Sequence, residues 1–95
     1  MTEEQYEAAQ QLEKMLLERL EEAMGEEDPT SELALEVAEL HKRWLSFYWP
    51  KYTKEAHVGL AQMYLPDERF INYYDSRVVP NATQFLTACI THFAK

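Results

Sequence analysis

Residues 44–75 read WLSFYWPKYTKEAHVGLAQMYLPDERFINYYD, and this stretch holds nine of the twelve aromatic residues of the chain. Five of the nine are tyrosines, whose hydroxyls need water or a hydrogen-bond partner when the ring is covered. A core built only for stability would use more leucine, isoleucine and valine. The stretch therefore indicates an aromatic-lined cleft for a largely apolar ligand, with a small helical core completed by aromatic rings as the alternative.

A third helix is predicted from Lys54 to about Leu65. Pro50 ends the preceding helix, because the residue before a proline avoids helical angles. Thr53 is a suitable N-cap for the new helix. Gly59 inside it costs about 1 kcal/mol relative to alanine, which is tolerable if a helix or a ligand approaches the backbone there. The expected apolar face consists of Ala56, Leu60, Met63 and Tyr64.

Two more helices follow. Pro66-Asp67 breaks and recaps the chain before a short fourth helix, from about Glu68 to Asp75. Aromatic rings on several sides of so short a helix cannot all enter one core, so some face a groove or water. Pro80 is expected to open the last helix, which has the strongest apolar periodicity in the chain and is predicted to be the central core helix. That apolar face consists of Ala82, Phe85, Leu86, Cys89, Ile90 and Phe93.

The first half of the chain predicts a helical hairpin. Residues 3–24 form a first helix that stops at Gly25, and its apolar positions are Leu12, Leu16, Leu20 and Ala23. Asp28-Pro29 supplies an N-cap and a first helical residue for a second helix that reaches about Tyr48. Its apolar positions are Leu33, Val37, Leu40, Trp44 and Phe47.

The fold class follows from these segments and from the composition. Ninety-five residues suffice for one modest core, so residues 1–95 are expected to form a single domain. Two glycines, four prolines and few β-branched aliphatic residues favour helices over sheets, and no strand-like alternation occurs. The prediction is an all-α domain of about five helices with an open ligand cleft.

Charge is distributed unevenly along the chain. Residues 1–40 contain 13 acidic and 2 basic residues, whereas residues 41–95 contain 4 acidic and 7 basic ones. No basic patch is dense enough to follow a phosphate backbone, so direct nucleic-acid contact is not expected. Self-repulsion predicts that residues 1–27 form a loosely held acidic lead-in or lid, while residues 28–95 form the core.

No apolar run approaches the length of a membrane helix, and the acidic start does not resemble a signal peptide. The lone cysteine, Cys89, forms no internal disulfide and fits a reducing cytoplasm. Its position predicts a small buried hydrophobe rather than a reactive thiol. A cytoplasmic protein without a membrane partner is expected.

No arrangement typical of an enzyme is recognisable in the chain. His41, His57 and His92 lie on three different predicted helices without a metal-ligand spacing, so each is interpreted as a surface or satisfied core residue rather than a ligand or base. No phosphate-binding glycine loop or nucleophile elbow is present. We expect no enzymatic activity, cofactor or metal.

Five segments resemble the TipAS antibiotic-recognition domain, the C-terminal effector half of TipA-like regulators of the MerR family. They cover residues 30–95 well and residues 1–29 only as a charged helical lead-in. The segments are Trp44-Leu45-Ser46-Phe47-Tyr48, Tyr52-Thr53-Lys54-Glu55, Gly59-Leu60-Ala61-Gln62-Met63-Tyr64, Asp67-Glu68-Arg69-Phe70 with Tyr74-Asp75, and Phe85-Leu86 with Ile90.

The resemblance implies a globin-like helical domain without haem, whose cleft takes bulky, largely apolar antibiotics such as thiopeptides. In full-length regulators of this family an N-terminal winged helix-turn-helix binds DNA, and a long coiled coil forms the dimer. Drug capture then activates resistance genes, while related lone domains sequester the drug. These residues contain neither the DNA-binding half nor the coiled coil, so an excised effector domain or a free-standing binder, monomeric in isolation, is expected.

Two departures from the family pattern matter. The prototype of the family bonds its thiopeptide through a cysteine near the third helix, but His57-Val58-Gly59 contains none and Cys89 lies in the last helix. The resemblance therefore implies reversible binding in this chain. The glycine that usually precedes the last helix is replaced by Val79-Pro80-Asn81, which changes the loop at that edge of the cleft.

The sequence predicts a ligand site walled by the second helix and residues 52–75. Rings and a thioether offer dispersion and stacking to several ligands of similar bulk, while His41 and the tyrosine hydroxyls orient the ligand. The competing interpretation is a helical protein-interaction module whose aromatic face receives a partner helix. The candidate lining residues are His41, Trp44, Tyr48, Tyr52, Met63, Tyr64, Phe70, Tyr73 and Tyr74.

Overall fold

The computed structural model describes residues 2–95 and arranges them in five α-helices without a strand. The helices α1 to α5 span Glu3–Glu26, Glu32–Ser46, Lys54–Tyr64, Glu68–Arg77 and Ala82–Phe93. This confirms the expected all-α fold. No helix in the described part of the chain is long and apolar enough to cross a membrane.

Side chains next to the helix ends explain where four of these helices start. A capping side chain accepts a hydrogen bond from a backbone N–H in the first turn, which satisfies one of the donors left free there. The caps of α3 and α4 are those expected from the sequence. The four capping residues are Thr2, Ser31, Thr53 and Asp67.

The end of α1 and the start of α2 differ from the prediction. Helix α1 continues through Gly25 and ends where Glu27 adopts a left-handed conformation with φ of 57°. The Asp28 carboxylate does not cap α2. It accepts hydrogen bonds from the backbone N–H and the hydroxyl of Thr30, at 2.9 and 2.6 Å, so the chain turns once more before Ser31 caps the helix.

Helix α5 lies at the centre of the core, as its periodicity predicts, and it contacts each of the other four helices. Its residues Ala82, Leu86, Cys89 and Ile90 are fully buried. The most extensive helix pair is α1 with α2, in which Leu16 and Leu20 of the first helix enter the same apolar cluster as Val37 of the second. The expected hairpin of the first two helices is therefore present.

The buried face of α3 is only partly the one predicted. Tyr64 is buried as expected, and Leu60 packs against the core. Ala56 and Met63, however, are exposed, while His57 and Ala61 are fully covered. Hydropathy places a histidine on the polar side of a helix. Here both ring nitrogens of His57 have hydrogen-bond partners, so the imidazole can be buried without the cost of an unsatisfied polar group. The helix is therefore rotated by about one residue relative to the expectation.

Candidate functional site

An aromatic cleft lies where α2, α3 and α4 meet, with a volume of about 470 Å³. Five of its six lining residues are among those selected from the sequence. The lining consists of Trp44, Tyr64, Arg69, Phe70, Tyr73 and Tyr74.

The rings of the cleft form a continuous packed row. The centroid of the Tyr64 ring lies 4.8 Å from that of Phe70 and 5.5 Å from that of Tyr74, whose ring meets Tyr73 edge-on at 5.0 Å. Aromatic pairs prefer such tilted and edge-to-face arrangements. Tyr64 and Tyr74 are buried and form the floor, whereas Phe70 and Tyr73 are half-buried and form a wall.

Tyr48 lies beside the cleft residue Trp44 but is not itself part of the lining. Its ring centroid lies 5.1 Å from that of Trp44, and 48% of the residue is exposed. It lies just after the last turn of α2, because the chain leaves the helix at Ser46. Tyr48 is therefore an exposed neighbour of Trp44.

Two of the residues selected from the sequence lie elsewhere. The ring of Tyr52 stacks on Trp49 at 6.3 Å, and its hydroxyl bonds to His57, outside the cleft lining. Met63 is 61% exposed and points away from the buried face of α3. The orientation of α3 turns Met63 away from the cleft, whereas Tyr52 precedes that helix and is held at His57 by its hydroxyl.

His41 lies behind the cleft and is not exposed to it. Its ring is fully buried, and its Nε2 atom lies 3.1 Å from the hydroxyl oxygen of Tyr64. Its Nδ1 atom lies 2.8 Å from Nε2 of His57, and Nδ1 of His57 lies 2.7 Å from the hydroxyl of Tyr52. The result is an unbroken chain of polar groups, Tyr52–His57–His41–Tyr64, which ends at the floor of the cleft.

Burial keeps the groups of this chain uncharged at neutral pH. Burial lowers the pKa of His41 to about 3, and the neighbouring His57 contributes in the same direction. Burial also lowers the pKa of His57 to about 4, with a further contribution from the positive charge of Lys42. At the cleft floor, burial raises the pKa of Tyr64 and of Tyr74. The residues of the floor are therefore neutral at pH 7.

Tyr73 connects the cleft to α1. Its hydroxyl donates a hydrogen bond of 2.6 Å to the Glu13 carboxylate, and the guanidinium of Arg77 lies 3.9 Å from the centre of its ring. Burial raises the pKa of Tyr73 to about 12, and the hydrogen bond to Glu13 adds to the shift. Tyr73, which forms part of the cleft wall, thus contacts both Glu13 of α1 and the guanidinium of Arg77.

Arg69 is a cleft residue that the sequence reasoning did not select. It lies at the mouth, where its guanidinium pairs with the Asp67 carboxylate at 2.9 Å, and 88% of its side chain is exposed. The one feature of the sequence that points to Arg69 is its position within Asp67-Glu68-Arg69-Phe70, next to Phe70, which was selected. The other partners that were missed, Glu13 and His57, carry no such signal, because Glu13 meets Tyr73 and His57 meets His41 only in the folded chain.

The chemistry of the remaining candidate groups is limited. Cys89 is fully buried in α5, and burial raises the pKa of its thiol to about 12, which makes it a poor nucleophile. Residues 2–95 contain no group of three or more histidine, cysteine or carboxylate side chains placed to hold a metal ion. What the cleft provides is apolar surface, stacking and a few neutral polar groups, which suits non-covalent ligand binding.

Comparison with known proteins agrees with this geometry. Residues 1–93 match the model of the TipAS antibiotic-recognition domain family. The matched residues include α1, whereas the resemblance seen in the sequence rested mainly on residues 30–95. Neither the curated proteins nor the solved structures contain a significant match. Because the family model covers nearly the entire chain, this protein belongs to the TipAS antibiotic-recognition domain family.

Proposed function

We propose that this chain is the ligand-sensing C-terminal domain of a MerR-family transcriptional activator. In this proposal it binds bulky, largely apolar antibiotics of the thiopeptide type reversibly, and binding switches the transcription of multidrug-resistance genes in the cytoplasm. Contact with DNA is made by an N-terminal winged-helix domain of the longer protein, which is dimeric, and the domain by itself is monomeric. A free-standing domain that sequesters the drug would use the same cleft.

The observation that carries this proposal is the aromatic cleft itself. Its volume of about 470 Å³ is within the usual range for small-molecule sites, and its lining is mostly aromatic. A bulky ligand would fill this cavity with one part and rest its remainder on the exposed ring of Tyr48. Rings bind by dispersion and stacking, so the site tolerates several ligands of similar shape.

Reversible binding is supported by the position of the cysteine. Cys89 is buried in α5 and is not part of the cleft lining. Covalent capture would need a thiolate at the cleft surface. We therefore expect that a bound thiopeptide dissociates on dilution and that no adduct survives denaturation.

The two tryptophans provide a direct test of the site. Trp44 lines the cleft, whereas Trp49 stacks on Tyr52 outside it. A Trp49→Phe variant leaves Trp44 as the only tryptophan, and its fluorescence should change saturably as a thiopeptide is added. The matched Trp44→Phe variant, which retains only Trp49, should respond weakly or not at all.

A flat titration of the Trp49→Phe variant would contradict the proposal. Light scattering at rising protein concentration would then examine the competing interpretation, in which the aromatic face receives a helix of a partner protein. Equal responses from both variants would place the ligand elsewhere on the molecule, because only Trp44 contacts the cleft.

A further inference from the structure

A groove runs along the α1–α2 hairpin, on residues that do not line the aromatic cleft. It consists of three adjoining cavities of about 470, 580 and 630 Å³. Met15 and Arg43 line both the first and the second cavity, while Glu32 and Glu36 line both the second and the third. The three cavities therefore form one hairpin groove, which follows α2 over its 15 residues, a length of about 22 Å.

The first cavity of the hairpin groove is mainly apolar. Leu12 and Phe47 line it as half-buried side chains, and Met15 continues into the second cavity, which Leu35 also lines. Met15 is 45% exposed and Leu35 is 38% exposed, so this chain covers neither of them fully. Apolar side chains that are exposed together mark interaction surfaces, and the flexible thioether of methionine adapts to the shape of a partner.

The other end of the hairpin groove is acidic. Glu26, Glu32 and Glu36 line the third cavity, and Glu39 joins the last two of these in the second. Glu36 and Glu39 pair with arginines at 3.2 and 3.9 Å, in contacts whose side chains are all more than a third exposed. Such exposed pairs contribute little to stability, so their carboxylates can accept another cation. Glu26 and Glu32 have no ion pair within residues 2–95.

The charge of this hairpin excludes several occupants of the groove. Residues 1–40 contain 13 acidic and 2 basic residues. Anionic lipids and nucleic acids would be repelled by such a surface. A second copy of the chain would bring the same glutamates to the interface, where like charges oppose association. The charge of the groove therefore favours a cationic partner.

We propose that the hairpin groove binds a basic amphipathic helix of a partner protein. The apolar stripe of that helix covers Met15 and Leu35, while its lysines or arginines pair with Glu32 and Glu36. Docking of an amphipathic helix in a groove is a common mode of peptide recognition, and about 15 helical residues match the length of α2. Because no residue of the aromatic cleft takes part, this proposal goes beyond the proposed function and does not depend on it.

A synthetic peptide tests the groove on the full chain. The peptide has about 16 residues, with leucine at every third or fourth position and lysine elsewhere, so that it forms a basic amphipathic helix. Titrated into the nitrogen-15-labelled chain, it should shift the amide NMR signals of Met15, Leu35 and Glu32 saturably. A peptide with glutamate in place of lysine should not bind. Equal binding of the acidic peptide would overturn the proposal, as would shifts confined to the residues of the aromatic cleft.

Two matched pairs of variants locate the contact. Met15→Gln removes an exposed methionine in the groove, and Met63→Gln removes one on α3 that is 61% exposed. Glu32→Lys and Glu55→Lys each reverse one charge in the first turn of a helix, but only Glu32 lines the groove. We expect the two groove variants to bind the basic peptide about three- to tenfold more weakly, and the two controls to bind it like the parent chain.

The variants also decide between the occupants of the groove. Met15 and Glu32 are exposed, so their variants should keep the helical circular dichroism of the parent chain. Equal affinities of groove and control variants would contradict the proposal, and so would a parent chain that does not bind the basic peptide. If sedimentation equilibrium showed a dimer of the parent chain that dissociates in Met15→Gln, a second copy would fill the groove and the proposal would be wrong. None of these outcomes depends on whether the chain binds a thiopeptide.

Discussion

Polar side chains are buried in the core of this small domain where their hydrogen-bonding atoms have partners. His41 and His57 are both fully buried, yet no buried side-chain nitrogen or oxygen in residues 2–95 lacks a hydrogen-bond partner. Each imidazole satisfies the other, and tyrosine hydroxyls satisfy the two ends. The pair cannot hold two protonated rings, because both of the facing nitrogens would then carry N–H.

This pairing makes the stability of the fold sensitive to mild acid. In the unfolded chain a histidine binds a proton near pH 6.5, whereas in the folded protein burial lowers the pKa of His41 to about 3 and that of His57 to about 4. The unfolded state therefore takes up protons first as the pH falls. We expect the free energy of unfolding to be constant above pH 7 and to fall between pH 6.5 and 5 by up to about 1.4 kcal/mol per pH unit for each histidine.

Urea unfolding at a series of pH values checks this expectation. The interval from pH 6.5 to 5 separates the histidines from ordinary carboxyl groups, which titrate near 4. A His41→Gln variant should show about half the slope. A stability that stays flat down to pH 5 would contradict the neutral buried pair.

Gly59 was expected to mark a close approach to the α3 backbone. A Cβ atom added at this position meets no other group within 4 Å. No close packing contact thus requires a glycine at position 59, and its effect is to lower the stability of the helix interior through its conformational freedom. We predict that Gly59→Ala raises the free energy of unfolding by about 0.5–1 kcal/mol, which thermal or urea unfolding would detect. A loss of stability would mean that the backbone there is more crowded than the structure shows, and weaker thiopeptide binding would indicate that the ligand approaches it.

Among the elements, α5 differs from the others because its cap comes from another helix. Asn81 precedes it in a left-handed conformation, with φ of 76°, and makes no side-chain capping bond. Asparagine tolerates this conformation better than most residues, so the chain can turn here without a glycine. The Asp75 carboxylate at the end of α4 instead accepts hydrogen bonds from the backbone N–H groups of Asn81 and Thr83 and from the Thr83 hydroxyl.

This contact predicts that Asp75 stabilises both α4 and α5. Partial burial tends to raise the pKa of Asp75, but the hydrogen bonds from Thr83 and Asn81 outweigh it and hold the pKa below its usual value. We expect Asp75→Ala to lower the free energy of unfolding by about 1–3 kcal/mol and Asp75→Asn to lower it less, because the amide keeps one acceptor oxygen. Urea unfolding is the measurement.

Asp28→Ala is a matched control for the Asp75 variants. Asp28 accepts two hydrogen bonds, against three for Asp75, and both come from Thr30 in an exposed turn, so its loss should cost less than that of Asp75. If Asp75→Ala were no more destabilising than Asp28→Ala, the bridge between α4 and α5 would not contribute to stability.

In the whole molecule, α1 has two different parts. Its second half places Leu16, Leu20 and Ala23 in the core, whereas residues 3–8 are exposed. Between them, Glu13 accepts the hydrogen bond from Tyr73 at the cleft wall. A ligand that fixes Tyr73 would therefore also fix the middle of α1, and this contact gives the proposed acidic lid a physical link to the cleft.

Amide hydrogen exchange of residues 3–24, with and without a thiopeptide, examines this coupling. We expect the ligand to slow exchange in α1, most strongly before Leu16, because the later residues are already held by the core. A Glu13→Ala variant removes the link and should reduce the effect. Exchange rates that do not change on ligand binding would remove the lid from the mechanism.

The sequence by itself determined the helices, their approximate ends and the central place of α5. These features follow from local physics, because apolar spacing, prolines and capping side chains act within a few residues of one another. Five of the aromatic residues selected from the sequence also line the cleft, and their role in ligand binding stays a prediction. They are Trp44, Tyr64, Phe70, Tyr73 and Tyr74.

Only the tertiary structure decided which helix faces are in contact. In it, α3 is oriented so that His57 is buried, and Tyr52 and Met63 lie outside the cleft. Glu13 bonds to Tyr73, which is 60 residues away in the sequence. The local sequence around a polar side chain does not show which group will be its hydrogen-bond partner. The side chain can be buried only if packing brings a second polar group, often from a distant segment, within hydrogen-bond distance.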